Sequence, residues 1–236
     1  MSDARINELR TNLAAVRERI DAAARAAGRE ENQVRLLPVT KFHPAEDLAH
    51  LLELGVTDVA ENREQEARGK AAVVPGIRIH MIGQIQSKKA NSVARWAAGV
   101  QSLDSVALAH GLDRGMVLAL ERGDRTSEVL PCHLQLSADG DPARGGVTED
   151  DLDELADVVE AAGHLHLAGL MVVPPLDSRP ADIFARAREL CEHLEERFGR
   201  RMELSAGMSG DLAHAIAAGS DIVRVGTGVL GSRPVA

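Results

Sequence analysis

From residue 34 onward, short apolar runs alternate with amphipathic segments, and no other feature of the chain constrains its fold as strongly. Runs near 34–41, 57–61, 77–82, 99–102, 129–136, 165–171, 202–205 and 221–225 are short enough for strands. The stretches between them, near 44–54, 63–73, 86–97, 105–121, 149–162, 180–198 and 210–218, read as helices. Strands that alternate with helices pair in parallel through crossover connections. Eight strands separated by seven helices within 236 residues predict an α/β fold, a single (β/α)8 TIM-type barrel. A doubly wound open sheet has the same alternation and stands as the second architecture. Ahead of the first strand, Ile6, Leu9, Leu13, Val16 and Ile20 recur at steps of three and four, which predicts a helix over 3–27 stopped by Gly28. The expected organisation is one domain, 1–236, with residues 1–28 as an extra N-terminal helix packed on the barrel.

Composition narrows the function classes. A net charge of −9 argues against a nucleic-acid backbone as partner, because that needs clustered cations. One Trp, three Phe and no Tyr leave little for base stacking. No apolar run approaches the roughly 18 residues of a bilayer span, and the start "MSDARINELRTNL" has no apolar secretory core. Cys132 and Cys191 lie in apolar patterns and make no disulfide framework, so a cytoplasmic setting is expected.

In a barrel, chemistry collects at the carboxyl ends of the strands. "LLPVTKFHP" ends the first strand at Lys41, on the same face as Leu37 and Val39. A lysine at that mouth is partly desolvated, which favours the neutral, nucleophilic amine. A lysine that caps the strand by snorkelling is the alternative. Glu61 and Asn62 fall where the second strand meets its helix, and Asn62 also suits an N-cap. In "IRIHMIG", Arg78, His80 and Ile82 share a face, with a satisfied core histidine as the plain reading of His80. After the seventh strand come Gly207, Ser209, Gly210 and Asp211; after the eighth come Gly226, Thr227 and Gly228. These are the loops where barrels bind phosphate, since glycines let backbone N–H groups close on an anion. Arg224 shares a face with Ile222 and points toward the same place.

Closure sets the eighth strand against the first, so an amine and a phosphate cradle become neighbours. Pyridoxal 5′-phosphate carries both an aldehyde and a phosphate and satisfies both ends, with Lys41 as its Schiff-base partner. "VTKFHP" (39–44), "AENREQE" (60–66), "IHMIGQIQSKK" (79–89), "GLMVVPP" (169–175), "GMSGDLAHAI" (207–216) and "VRVGTGVLG" (223–231) resemble, in order and spacing, the pyridoxal phosphate homeostasis protein family. The resemblance implies that Lys41 carries the cofactor and that Ser209, Gly226 and Thr227 bind its phosphate. It also implies that Asn62, His80, Met208 and Arg224 line the ring side, with Arg224 near the pyridine nitrogen. Ile79, Ala206 and Leu230 depart from the family pattern at apolar positions, and "DPARGG" (141–146) matches it loosely.

The implied function is carrying, buffering or delivering the cofactor without turnover, with PLP-dependent apo-enzymes as partners, no nucleic acid or membrane, and a monomeric state. A PLP-dependent racemase or decarboxylase is the alternative. The barrel also resembles the cofactor domain of alanine racemase, an enzyme type that uses a tyrosine as base opposite the lysine, and this chain has none. Without tyrosine, His80, His166 and Cys132 would be the candidates for a second base. A Schiff-base aldolase working without the cofactor is a third reading. "HLH" at 164–166 has ligand spacing but no evident third ligand, so no metal is expected.

Overall fold

A computed structural model describes residues 2–232, so the outer limits of the expected domain lie outside the described residues. The strands are β1 (Arg35–Pro38), β2 (Asp58–Glu61), β3 (Arg78–Met81), β4 (Gly99–Leu103), β5 (Leu130–Leu136), β6 (Leu165–Val172), β7 (Glu203–Ser205) and β8 (Ile222–Val225). All pair in parallel in the order β1-β8-β7-β6-β5-β4-β3-β2. A bridge from Val39 to Ala60 joins β1 to β2, so the sheet closes and the open-sheet alternative falls.

The helices are α1 (Ser2–Ala26), α2 (Ala45–Glu53), α3 (Glu64–Val73), α4 (Ala90–Trp96), α5 (Val106–Glu121), α6 (Leu152–Ala161), α7 (Pro180–Phe198), α8 (Leu212–Ala217) and α9 (Thr227–Leu230). The segment predicted as one helix from 86 opens as a 3₁₀ turn, Ser87–Lys89, before α4. α9 is a single turn, too short to show any periodicity in the sequence. The ring position beside β8 is therefore filled from elsewhere. α1 lies against α8, α9 and α2, burying Leu9, Leu13, Val16, Ile20 and Ala24 with Leu48, Leu51, Leu212, Ile216, Val229 and Leu230. Full burial of each large side chain in that stripe stabilises the fold by about 1.5–3 kcal/mol.

Strand alternation divides the interior from the sheet–helix layer. Outward-facing Cys132, Leu134 and Leu136 join the helix-packed core, while Leu37, Val39, Ala60 and Ile222 form a small apolar cluster inside the barrel with Ile82. Beside it the interior carries a chain of polar side chains. Arg224 Nη1 donates to Ser205 Oγ (2.7 Å), and Ser205 donates to Gln101 Oε1 (2.8 Å). At the amino ends of the strands, a cavity of about 430 Å³ is lined by Asp58, His80, Gln101, His133 and Glu203 among others. None of the described helices is long and apolar enough to cross a membrane.

Candidate functional site

Lys41 stands two residues beyond the bridge that closes the barrel, in a turn. The turn is closed by His43 N donating to Thr40 O (3.1 Å), and Phe42 at its third position has φ +68°. That is the geometry of a type II turn, which ordinarily takes glycine there. A phenylalanine in the left-handed region costs on the order of 1–3 kcal/mol and persists only where its surroundings hold it. The surroundings here are a buried ion cluster. Lys70 Nζ donates to Thr40 O (2.9 Å), Glu61 Oε1 (2.5 Å) and Glu66 Oε1 (2.7 Å). Thr40 Oγ1 donates to Glu61 Oε1 (2.6 Å), and the Phe42 N–H donates to Glu66 Oε1 (2.7 Å). Burial pushes the Glu61 carboxyl up, against the opposing pull of hydrogen bonds from Lys70 and Thr40. Lys41 itself is half-buried and makes no hydrogen bond or ion pair among the described residues.

On one side of Lys41 lies the end of β8. Pro38 pairs with Val225, and Val39 N donates to Val225 O (2.9 Å), which brings Gly226 and Thr227 alongside Lys41. Gly228 is required by close packing. A Cβ there would stand 2.9 Å from Val225 Cγ1 and 3.3 Å from Val16 Cγ2, and only 3.8 Å from Ser209 Oγ. The two glycine loops are thus neighbours. The N–H groups of Ser209, Gly210, Thr227 and Gly228 donate to no acceptor among the described residues. α1 braces the first loop and α9 from outside: Arg19 Nη2 donates to Ser209 O (2.8 Å), Asn12 Nδ2 to Val229 O (3.1 Å) and Arg5 Nη2 to Leu230 O (2.9 Å).

On the other side, Asn62 follows the Ala60 bridge, and its Oδ1 is buried without a hydrogen-bond partner. Gly83 presses on its backbone, where a Cβ would come within 2.1 Å of Asn62 O. Arg224, 3 % exposed, lies inside the barrel with Ile222 and donates to Val172 O (2.9 Å) as well as to Ser205. Burial pushes its guanidinium down to about 10, still far enough above neutrality to keep the cation. Met208, 40 % exposed, sits in the loop after β7.

Lys41, Asn62, Met208, Ser209, Arg224, Gly226 and Thr227 therefore belong to or face one end of the barrel, and His80 does not. Its Nε2 is 2.7 Å from Asp58 Oδ1, and its ring lines the cavity at the amino ends. The carboxylate at the start of β2 holds the ring there, away from the ring side where the family resemblance put it. The other second-base candidates are also elsewhere. His166 is exposed at the start of β6. Cys132 faces the helix layer, its thiol pushed up to about 12 by burial. His164 Nδ1 is 2.9 Å from Glu128 O, and the described residues contain no cluster of three or more metal ligands.

Sequence reasoning missed the Lys70 cluster and the bracing by α1. The i, i+4 spacing of Glu66 and Lys70 was a signal, but such pairs are commonest on solvated faces. Gln101 within a fully buried strand was the signal for the interior polar chain.

Eight parallel strands, a mouth lysine and paired glycine loops define a class: the chain matches the family model of the alanine racemase N-terminal domain over residues 11–234. Within that class it belongs to the pyridoxal phosphate homeostasis protein family. The Pyridoxal phosphate homeostasis protein of Corynebacterium glutamicum is 59 % identical over 218 residues, covering 92 % of this chain and 99 % of that one. PipY of Synechococcus elongatus, solved with PLP bound, is 30 % identical with a TM-score of 0.79, over 94 % of this chain and 100 % of PipY. Alanine racemase from Corynebacterium glutamicum shares the fold at 15 % identity, with a TM-score of 0.70 over 98 % of this chain and 62 % of the enzyme.

Proposed function

We propose that this chain binds pyridoxal 5′-phosphate at the carboxyl-terminal mouth of its barrel, covalently through Lys41, and carries the cofactor rather than using it for turnover. The carrying observation is the convergence, through β1–β8 pairing, of an amine and two glycine loops with four N–H groups that have no partner among the described residues. The residues present fit the group. Its aldehyde is an electrophile for a lysine amine, and its phosphate is an anion in need of donors. Lys41 supplies the amine. Ser209, Thr227 and the loop amides around them, with Gly226 leaving room for close approach, supply the phosphate donors. Asn62, whose buried Oδ1 lacks a donor, and Met208 would line the ring. Arg224 would set a fixed cation near the ring nitrogen, which would disfavour its protonation and weaken the ring as an electron sink. The Corynebacterium relative's name and the PLP-bound PipY support the same reading.

Racemisation requires an acid/base group across the ring from the lysine. The sequence has no tyrosine, and His80, His166 and Cys132 all lie away from the mouth, which supports a carrier over an enzyme. The cellular part of the proposal is a cytoplasmic monomer that supplies PLP-dependent apo-enzymes. The two buried free thiols fit a reducing compartment.

The test is retention of the cofactor's near-visible absorbance after desalting. The full chain keeps it, and Lys41→Ala loses it with an unchanged unfolding midpoint. An undiminished band in folded Lys41→Ala would show that another residue holds the cofactor.

A further inference from the structure

Lys70 is buried (5 % exposed) and bonded to Thr40 and Glu61, which alternate along their strands with the inward-facing Val39 and Ala60. A buried lysine needs a reason, since taking its charge out of water is costly unless it is paired and hydrogen-bonded. Its partners supply one. Lys70 reaches the residue before Lys41 twice, directly at Thr40 O and through Glu61 to the Thr40 hydroxyl. It reaches the residue after Lys41 through Glu66, which accepts the Phe42 N–H. Both peptide flanks of Lys41 are tied to one ammonium, across a turn whose third position is a left-handed phenylalanine.

We infer that Lys70, with Glu61 and Glu66, is a positioning residue for Lys41: the cluster holds the Thr40–His43 turn in the form that presents the Lys41 amine to an aldehyde at the mouth. Without it, Phe42 relaxes toward negative φ, and Lys41 spends most of its time turned from its attack position. The lysine that reacts and the lysine that aims it are 29 residues apart in sequence. The inference rests on the assignment of Lys41 as the covalent anchor.

Attachment is nucleophilic addition of the unprotonated Lys41 amine to an aldehyde carbon, followed by loss of the aldehyde oxygen as water to leave a C=N bond. Its rate in the full chain is read with two probes, pyridoxal 5′-phosphate and phosphate-free pyridoxal, by borohydride trapping and peptide mapping. Glu66 is partly exposed, so Glu66→Ala should fold, and a denaturant titration confirms it. Glu66→Ala is expected to slow attachment at Lys41 about tenfold with both probes, since presentation of the amine and not phosphate binding is lost. Glu66→Gln keeps an acceptor for the Phe42 N–H and is expected to return within about twofold of the wild type. A cluster that only stabilises the fold would shift the unfolding midpoint of Glu66→Ala and leave both rates unchanged, which overturns the inference. Slowing with the phosphate-bearing probe alone, or equal slowing by Ala and Gln, also overturns it. A wild-type adduct mapped away from Lys41 would instead sink the anchor assignment, and this inference with it.

Discussion

Arg224 and the four loop amides divide the labour of the mouth between a fixed charge and a set of hydrogen-bond donors. The guanidinium is locked by Ser205 and the Val172 carbonyl, so it can orient a ring but cannot follow a moving phosphate. Phosphate binding falls to Ser209, Thr227 and the backbone around them. Charge-assisted hydrogen bonds are worth about 1.5–3 kcal/mol each. Ser209→Ala combined with Thr227→Val should therefore weaken pyridoxal 5′-phosphate binding at least tenfold. The same double variant should leave phosphate-free pyridoxal nearly unaffected. Competition titrations with the two compounds measure this, and equal losses for both would place the phosphate elsewhere. At this scale Lys41, Asn62 and the two glycine loops were legible in the sequence, because strand ends and turn glycines announce themselves locally. The direction of His80 was not. Strand alternation fixes which face a side chain takes, but not which mouth its ring leans toward, and Asp58 on the neighbouring strand decides that.

α1 does more than cover the barrel. It occupies the ring place that a one-turn α9 leaves open, and its Arg19, Asn12 and Arg5 hold carbonyls of the first glycine loop and of α9. The helix itself was plain from its apolar spacing, as were the eight strands. Its place beside β8 depends on contacts between the first and last parts of the chain, and no local pattern records them. α9 was unreadable for a simpler reason, since four residues complete barely one turn. The apolar stripe of α1 yields a stability prediction. Leu13, 2 % exposed, packs at the centre of that stripe, so Leu13→Ala should cost about 2–5 kcal/mol. Urea unfolding reads the loss, and a change below about 0.5 kcal/mol, the range of surface substitutions, would mean that α1 is not integral to the core.

The whole molecule is polar along its axis and differs at its two ends. At the amino ends, Asp58 meets His80 and Arg78, and Glu203 meets Arg35 and lies 3.2 Å from His133. These pairs hold both carboxyls below their usual range despite burial, and burial pushes the His133 imidazole down. His80 and His133 are thus occupied at the far end, while Lys41, the fixed Arg224 and the loop N–H groups stand at the mouth. The account's central claim is that this mouth holds the cofactor without turning substrates over, and the most direct measurement is solvent-deuterium exchange at the α-carbon. The cofactor-loaded chain would be incubated in deuterated buffer with L-alanine and other common amino acids, followed by mass and chiral analysis. The prediction is no enantiomer formed and exchange no faster than with free pyridoxal 5′-phosphate at the same concentration. Rapid exchange or racemisation that disappears in Lys41→Ala would contradict it and make the protein an enzyme.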